Sequence, residues 1–141
     1  MARASGFLRA KMMYESRSGA VFYAKDINRV AAFYSAVVGL EEEARDVDHV
    51  VLESPAFQLV VLQIASDIAS TVEITVPPMR RAMAAVKPVF FVPSIEDVRT
   101  SVKAFGGVMN SSDKEWSFQG FKVCDGLDPE GNVIQFREHA G

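Results

Sequence analysis

The feature that most constrains this chain is a repeat. Ile27 and Ile95, Val30 and Val98, and Gly39 and Gly107 each stand 68 positions apart. One offset carries a helix start, a helix face and a terminal glycine from one half of the chain into the other, the mark of a duplicated unit. Residues 20–24 (AVFYA) are an apolar, aromatic run that reads as a buried strand. Asp26 is a good helix N-cap, and Ile27, Val30, Ala31, Tyr34, Val37 and Val38 follow at helical spacing. Gly39 stands where a left-handed C-cap belongs. The spacing predicts an amphipathic helix over 27–38.

Strand signals follow. Residues 41–46 read as an acidic edge strand, and 50–53 and 57–63 as strands around a Ser54-Pro55 turn. Residues 72–76 alternate, which predicts a short extension before Pro77-Pro78 break the chain. The pattern then returns. Residues 89–92 are the apolar strand, and Ser94 is the cap, with Asp97 forming a capping box. Ile95, Val98, Val102 and Phe105 make the apolar helix face, and Gly106-Gly107 end it. Strands are predicted at 108–110, 120–127 and 133–137, with the tight turn DPEGN at 128–132 between the last two. The halves span about 18–63 and 87–138, linked by 64–86. Residues 1–13 (MARASGFLRAKMM) are expected to be disordered or extraneous, leaving 14–141 as one domain.

Composition excludes several classes of function. A formal net charge of −3, with no clustered basic face, argues against nucleic acid. No apolar run reaches the roughly 20 residues that span a bilayer. Cys124 is the only cysteine, so an internal disulfide or a cysteine-built metal site is excluded. It reads as a small buried strand residue in a reducing, cytoplasmic setting. There is no GxGxxG or phosphate-binding loop, and no GxSxG elbow. Asp125 and Asp128 flank a turn, where they are expected to bond the backbone. Glu41, Glu42 and Glu43 read as a solvated edge that resists aggregation; as a recognition patch they would make the chain a scaffold for another protein.

Three stretches carry a family resemblance: AVFYAKDINRVAAFYSAVVGL, VFFVPSIEDVRTSVKAFGG and GLDPEGNVIQFRE. The first resembles the opening of the vicinal oxygen chelate superfamily of glyoxalases, bleomycin-resistance proteins and extradiol dioxygenases. The second resembles the start of its second half, and the third its closing strand pair. The likeness covers roughly 18–138. It implies an α+β fold of two βαβββ repeats, forming a curved, mostly antiparallel sheet with helices on its outer face. It also implies pairing as a homodimer, with the pocket in or near that pairing. In such a sheet Ala20, Phe22, Ala24, Phe90, Val92, Ile134 and Phe136 would face the helices. The opposite set includes Val21, Tyr23, Gln58, Val60, Lys87, Val89, Phe91, Gln135 and Arg137. It mixes apolar and polar groups, as a pocket lining does.

Metal-dependent members of that superfamily hold the ion at four positions filled by His, Glu or Gln. Carried onto this chain, those positions are Gly19, about Val60, Lys87 and Gln135, with Gln58 or Gln63 as shifted alternatives. Glycine and valine supply no ligand, and an ammonium repels a divalent ion. A catalytic zinc normally wants three His, Cys or carboxylate ligands, and non-haem iron wants two His and a carboxylate. His49 and His139 are the only histidines, and both read as solvated or structural. The expectation is therefore no metal and no cofactor.

The function expected is metal-independent binding of a small organic molecule, of the bleomycin-resistance type. The candidate contacts are Tyr23, Gln58, Lys87, Phe91, Trp116, Phe118, Gln135 and Arg137. The aromatic groups would stack on a planar ligand, and Arg137 and Lys87 would pair with an anion. Trp116 and Phe118 otherwise read as a loop packed over the sheet or against a dimer partner. The alternative is a lyase or other enzyme of the superfamily with a non-standard or absent metal site. In it a buried Lys87 would act as base or Schiff-base nucleophile; otherwise Lys87 pairs with an acidic side chain.

Overall fold

A computed structural model describes residues 17–141 apart from Met83, so the expectation for residues 1–13 lies outside the described residues. The first half runs β1 (Ser18–Ala24), α1 (Ile27–Val38), β2 (Glu41–Arg45), β3 (His49–Ser54) and β4 (Phe57–Gln63). A short helix α2 (Ser66–Ala69), which the sequence pattern did not announce, opens the connection. The second half runs β5 (Val89–Phe91), α3 (Ile95–Ala104), β6 (Val108–Met109), β7 (Trp116–Phe118), β8 (Phe121–Leu127) and β9 (Val133–His139). The α+β fold of two βαβββ units is thus present, with β7 added to the second.

Hydrogen bonding divides the strands into two sheets, ordered β1-β4-β3-β2 and β5-β9-β8-β6, with β7 on β8. Each half opens with a parallel pair, β1 with β4 and β5 with β9, and its other pairs are antiparallel. The helices start where the repeat places them. The Asp26 carboxylate accepts from Arg29 N and the Ser94 hydroxyl from Asp97 N, each satisfying a helix-end donor. Among the described residues no helix is long and apolar enough to cross a membrane.

Three readings need correction. Residues 72–76 form no strand: they run irregularly into Pro77-Pro78, and the Val72 carbonyl takes the Lys25 ammonium. Phe105 does not join the buried helix face, because the helix stops at Ala104 and the ring is 43% exposed. The left-handed residue is Gly106 (φ +88°), not Gly107. Gly107 is glycine for another reason. A Cβ there would lie 2.5 Å from the Leu127 carbonyl oxygen and 2.6 Å from the Phe33 ring.

The helices cover one face of the sheets, and the core forms there. Phe33, Tyr34, Leu52, Leu59, Ile95, Ile134 and Phe136 are fully buried. Phe33 and Phe22 pack edge-to-face on Tyr34, and Tyr34 meets Phe90 at a tilt, joining the halves. A buried polar joint lies beside them. The Tyr34 hydroxyl donates to Asp128 Oδ2 at 2.8 Å, and Asp128 Oδ1 accepts from Glu130 N and Asn132 N within the DPEGN turn. Glu130, buried in the same turn, accepts from Lys25 N and Asp26 N at 2.8 Å each, where α1 begins. Burial raises the Asp128 carboxyl above its usual range, against the pull of the Asn132 and Tyr34 hydrogen bonds. Burial and the neighbouring carboxylate raise the Tyr34 hydroxyl well above its ordinary value.

Two outcomes follow. Gly107→Ala should destabilise the fold by about 1–3 kcal/mol in urea denaturation, since neither the carbonyl nor the buried ring yields freely. An unchanged midpoint would contradict this packing. A carboxyl whose folded pKa is raised favours folding most below its unfolded pKa, and loses that advantage as pH rises towards the folded value. The stability of the native chain relative to Asp128→Asn should therefore fall as pH rises above about 4, the ordinary carboxylate range. A difference that grows with pH would reverse the sign assigned to Asp128.

Candidate functional site

Strand alternation leaves the sheet face opposite the helices for chemistry, and pairing register fixes which residues share it. In the second half Val89 pairs with Gln135, which pairs with Asp125. Phe91 pairs with Arg137, Arg137 with Val123, and Val123 with Trp116. Phe118 pairs with Phe121, opposite His139. Six of the eight predicted contacts, namely Lys87, Phe91, Trp116, Phe118, Gln135 and Arg137, come together here. Tyr23 and Gln58 lie instead on the first sheet, beside Leu62 and Glu53. There Gln58 Nε2 donates to Glu53 Oε1 at 2.8 Å, and Arg17 pairs with the same carboxylate at 3.0 Å. Those two partners, Gln58 first, hold the Glu53 carboxyl below its ordinary range.

The second-half face carries one continuous polar chain. Lys87 Nζ lies 2.8 Å from Asp125 Oδ2, and Gln135 Nε2 donates to Asp125 Oδ1 at 3.1 Å. Arg137 Nε donates to Gln135 Oε1 at 2.8 Å. Aromatic rings flank both cations. Lys87 Nζ stands 5.9 Å from the Trp116 ring centre, and the Arg137 guanidinium 5.1 Å from Phe118 and 5.7 Å from Phe91, within cation–π range. Asp125 is the residue whose role the sequence reading missed. It lies in β8, within the strand predicted over 120–127, but its carboxylate bonds side chains rather than backbone and centres this chain of bonds; its alternation with buried Cys124 and Gly126 was the available signal. Asp128 keeps the backbone-bonding role expected of it. Trp116 and Phe118 form a strand on β8 rather than a loop.

Lys87 is an exposed member of an ion pair, not a desolvated amine. Cys124 is buried, and burial raises its thiol, so it offers no ready nucleophile. Where β1 passes the connection and the start of β9, a cavity of about 450 Å³ opens. Val21, Phe22, Val86, Pro88 and Val133 make its walls largely apolar, with Arg81 at its rim. None of Lys87, Asp125, Gln135 and Arg137 lines this cavity, and Lys87 is linked to it only through its chain neighbours Val86 and Pro88.

The register also fixes the four metal positions. Val21 and Val89 are equivalent under the repeat; Val21 pairs with Val60 and Val89 with Gln135. Val60 is therefore the counterpart of Gln135, and Gln58 and Gln63 are not. Gly19 offers no ligand, and a Cβ at that point would lie 2.8 Å from the Gln58 carbonyl oxygen. Lys87 brings a positive charge, and the Gln135 amide is already bonded on both its atoms. These residues do not fit a divalent metal, and among the described residues no three His, Cys, Asp or Glu groups cluster to hold one.

The profile of the glyoxalase-like domain family matches residues 19–136. No curated protein matches the chain. Solved structures similar in fold include a glyoxalase/bleomycin resistance protein/dioxygenase family enzyme from Burkholderia phytofirmans. It has 17% identity and a TM-score of 0.66, with 86% of this chain and 96% of that one covered. The fosfomycin resistance protein FosX of Listeria monocytogenes has 15% identity and a TM-score of 0.60, with 85% and 89% covered. FosX of Mesorhizobium loti has 10% identity and a TM-score of 0.59, with 87% and 89% covered.

The polar chain predicts an unequal pair of substitutions. Lys87→Met removes a partly exposed ion pair and should cost under about 1 kcal/mol. Asp125→Ala leaves the amide of Gln135, itself only 5% exposed, without its acceptor, at about 1–3 kcal/mol. Equal losses in denaturant titration would show that Asp125 does not organise this face.

Proposed function

This chain belongs to the glyoxalase-like domain family, and from that premise we propose that it binds a small organic molecule on the second-half sheet face without a metal ion. The observation that carries this reading is the fate of the four metal positions: two hold no donor, and Lys87 is tied to Asp125 where a ligand would stand. What remains is a face of exposed aromatic rings with a few placed polar groups. That combination suits capture of a small organic molecule, since such sites are mostly apolar with a few placed polar groups.

A second reading, a lyase or other enzyme of the family with a non-standard site, draws on the Burkholderia relative being described as an enzyme. At 17% identity that likeness speaks to fold, and fold and chemistry are separable.

Elemental analysis after dialysis, with thermal melts in added Zn, Ni, Mn or Fe, tests the proposal. The expected result is no stoichiometric metal and no ion-specific stabilisation, since a ligand of the native state must raise the melting temperature. One metal held per chain would overturn it. Turnover of a family substrate that survives dialysis and disappears in Lys87→Ala would favour the second reading.

A further inference from the structure

We infer that the molecule bound on this face is an aromatic carboxylate, its anionic end held between Lys87 and Arg137 and its ring stacked among Trp116, Phe118 and Phe91. This inference rests on the metal-free binding reading and adds the chemical class of the ligand.

The argument is an inventory of donors and acceptors. The polar chain contains two cations and one carboxylate. Asp125 accepts on both oxygens, from Lys87 and from Gln135. Gln135 donates at one end and accepts Arg137 Nε at the other. Lys87 has three N–H donors, one of which faces Asp125. Arg137 has five, and the two Nη groups make no hydrogen bond among the described residues. The capacity left over at the two ends is therefore all donor, with one positive charge in excess. A carboxylate supplies two acceptor oxygens and the balancing charge, and it matches the planar guanidinium fork.

The ring follows from the second observation. Trp116, Phe118 and Phe91 are 41%, 46% and 63% exposed although they sit on paired strands around those donors. Such rings gain area and offset-stacking energy when a flat molecule covers them. A neutral aromatic would leave the excess charge uncompensated, and a small aliphatic acid would leave the rings in water.

Trp116 is the only tryptophan, so its emission reports on this face alone. The experiment titrates the full chain with benzoate and indole-3-carboxylate, their neutral amides, and acetate, followed by Trp116 emission and calorimetry. The carboxylates should bind saturably, with the amides and acetate each weaker by about tenfold or more. Arg137→Gln and Lys87→Gln should each weaken benzoate by about fivefold or more and leave benzamide unchanged. Phe118→Leu, a ring-only change at a half-exposed position, should weaken both, and unchanged circular dichroism shows that each variant is folded. Amides binding as tightly as acids, or charge-removing variants that bind benzoate normally, would overturn the assignment of an anion and leave the binding reading intact. No saturable binding of acid or amide would overturn both.

Discussion

Among the described residues no strand hydrogen bond joins the two halves of this protein, so the fold depends on how the DPEGN turn docks onto the first helix. Asp128 and Glu130 project from that turn into a buried site, each with several donors. Glu130 takes the backbone N–H groups of Lys25 and Asp26, where the partial positive charge of the α1 N-terminus gathers. Arg81, from the connection between the halves, reaches the Glu130 carbonyl and carboxylate from the other side. A buried carboxylate without such partners would be costly. The turn can be buried only when the first helix and the connection are both in place, and this couples the order of one half to that of the other.

That coupling sets the geometry of the candidate site. The Tyr34–Asp128 bond and the Tyr34–Phe90 ring contact hold β5 against the first-half core. β1 and the start of β9 then sit where the cavity lined by Val21 and Val133 opens. The helices occupy the opposite sheet face, so the side chains of alternate strand residues are left uncovered by them. The polar chain from Lys87 to Arg137 is built across β5, β8 and β9 from such alternate positions.

Much of this was legible in the sequence because it follows from local rules. The strand over 57–63 and the helix over 27–38, with its Asp26 and Gly39 caps, match their predicted limits. The face assignment of Gln135, Arg137 and Phe91 followed from alternation, with the family resemblance saying which face the helices cover. What escaped depended on distant contacts. Gly107 looked like a second C-cap, but its lack of a side chain is dictated by Leu127 and Phe33, which no neighbouring residue reveals. Trp116–Phe118 has too few residues to announce a strand and becomes one by pairing with β8. Asp125 was placed in its strand but expected to bond the backbone of the nearby turn; only the register against β9 sets its carboxylate beside Gln135. A single curved sheet was expected where hydrogen bonding makes two, since alternation reports faces but not where a ladder ends.

The misfit to a divalent metal goes deeper than the four side chains. Restoring three zinc ligands would require donors at Gly19 or Val60 as well as at Lys87 and Gln135. Position 19 is closed by backbone: the β1–β4 pairing brings the Gln58 carbonyl to within 2.8 Å of where a Cβ would stand. Any residue but glycine would push the two strands apart along a parallel pair that anchors the first sheet. Lys87 is likewise part of a bonded arrangement, and removing it leaves the Asp125 carboxylate facing the site without its cation. Val60 has no polar neighbour across the register to orient an introduced imidazole, since it lies between Val21 and Val51. A metal site on this chain would therefore need a different strand spacing and new support around each ligand, not a change of ligand identity alone. The same glycine and lysine that exclude a divalent ion leave an open, positively charged, ring-lined face, and that face suits an organic anion.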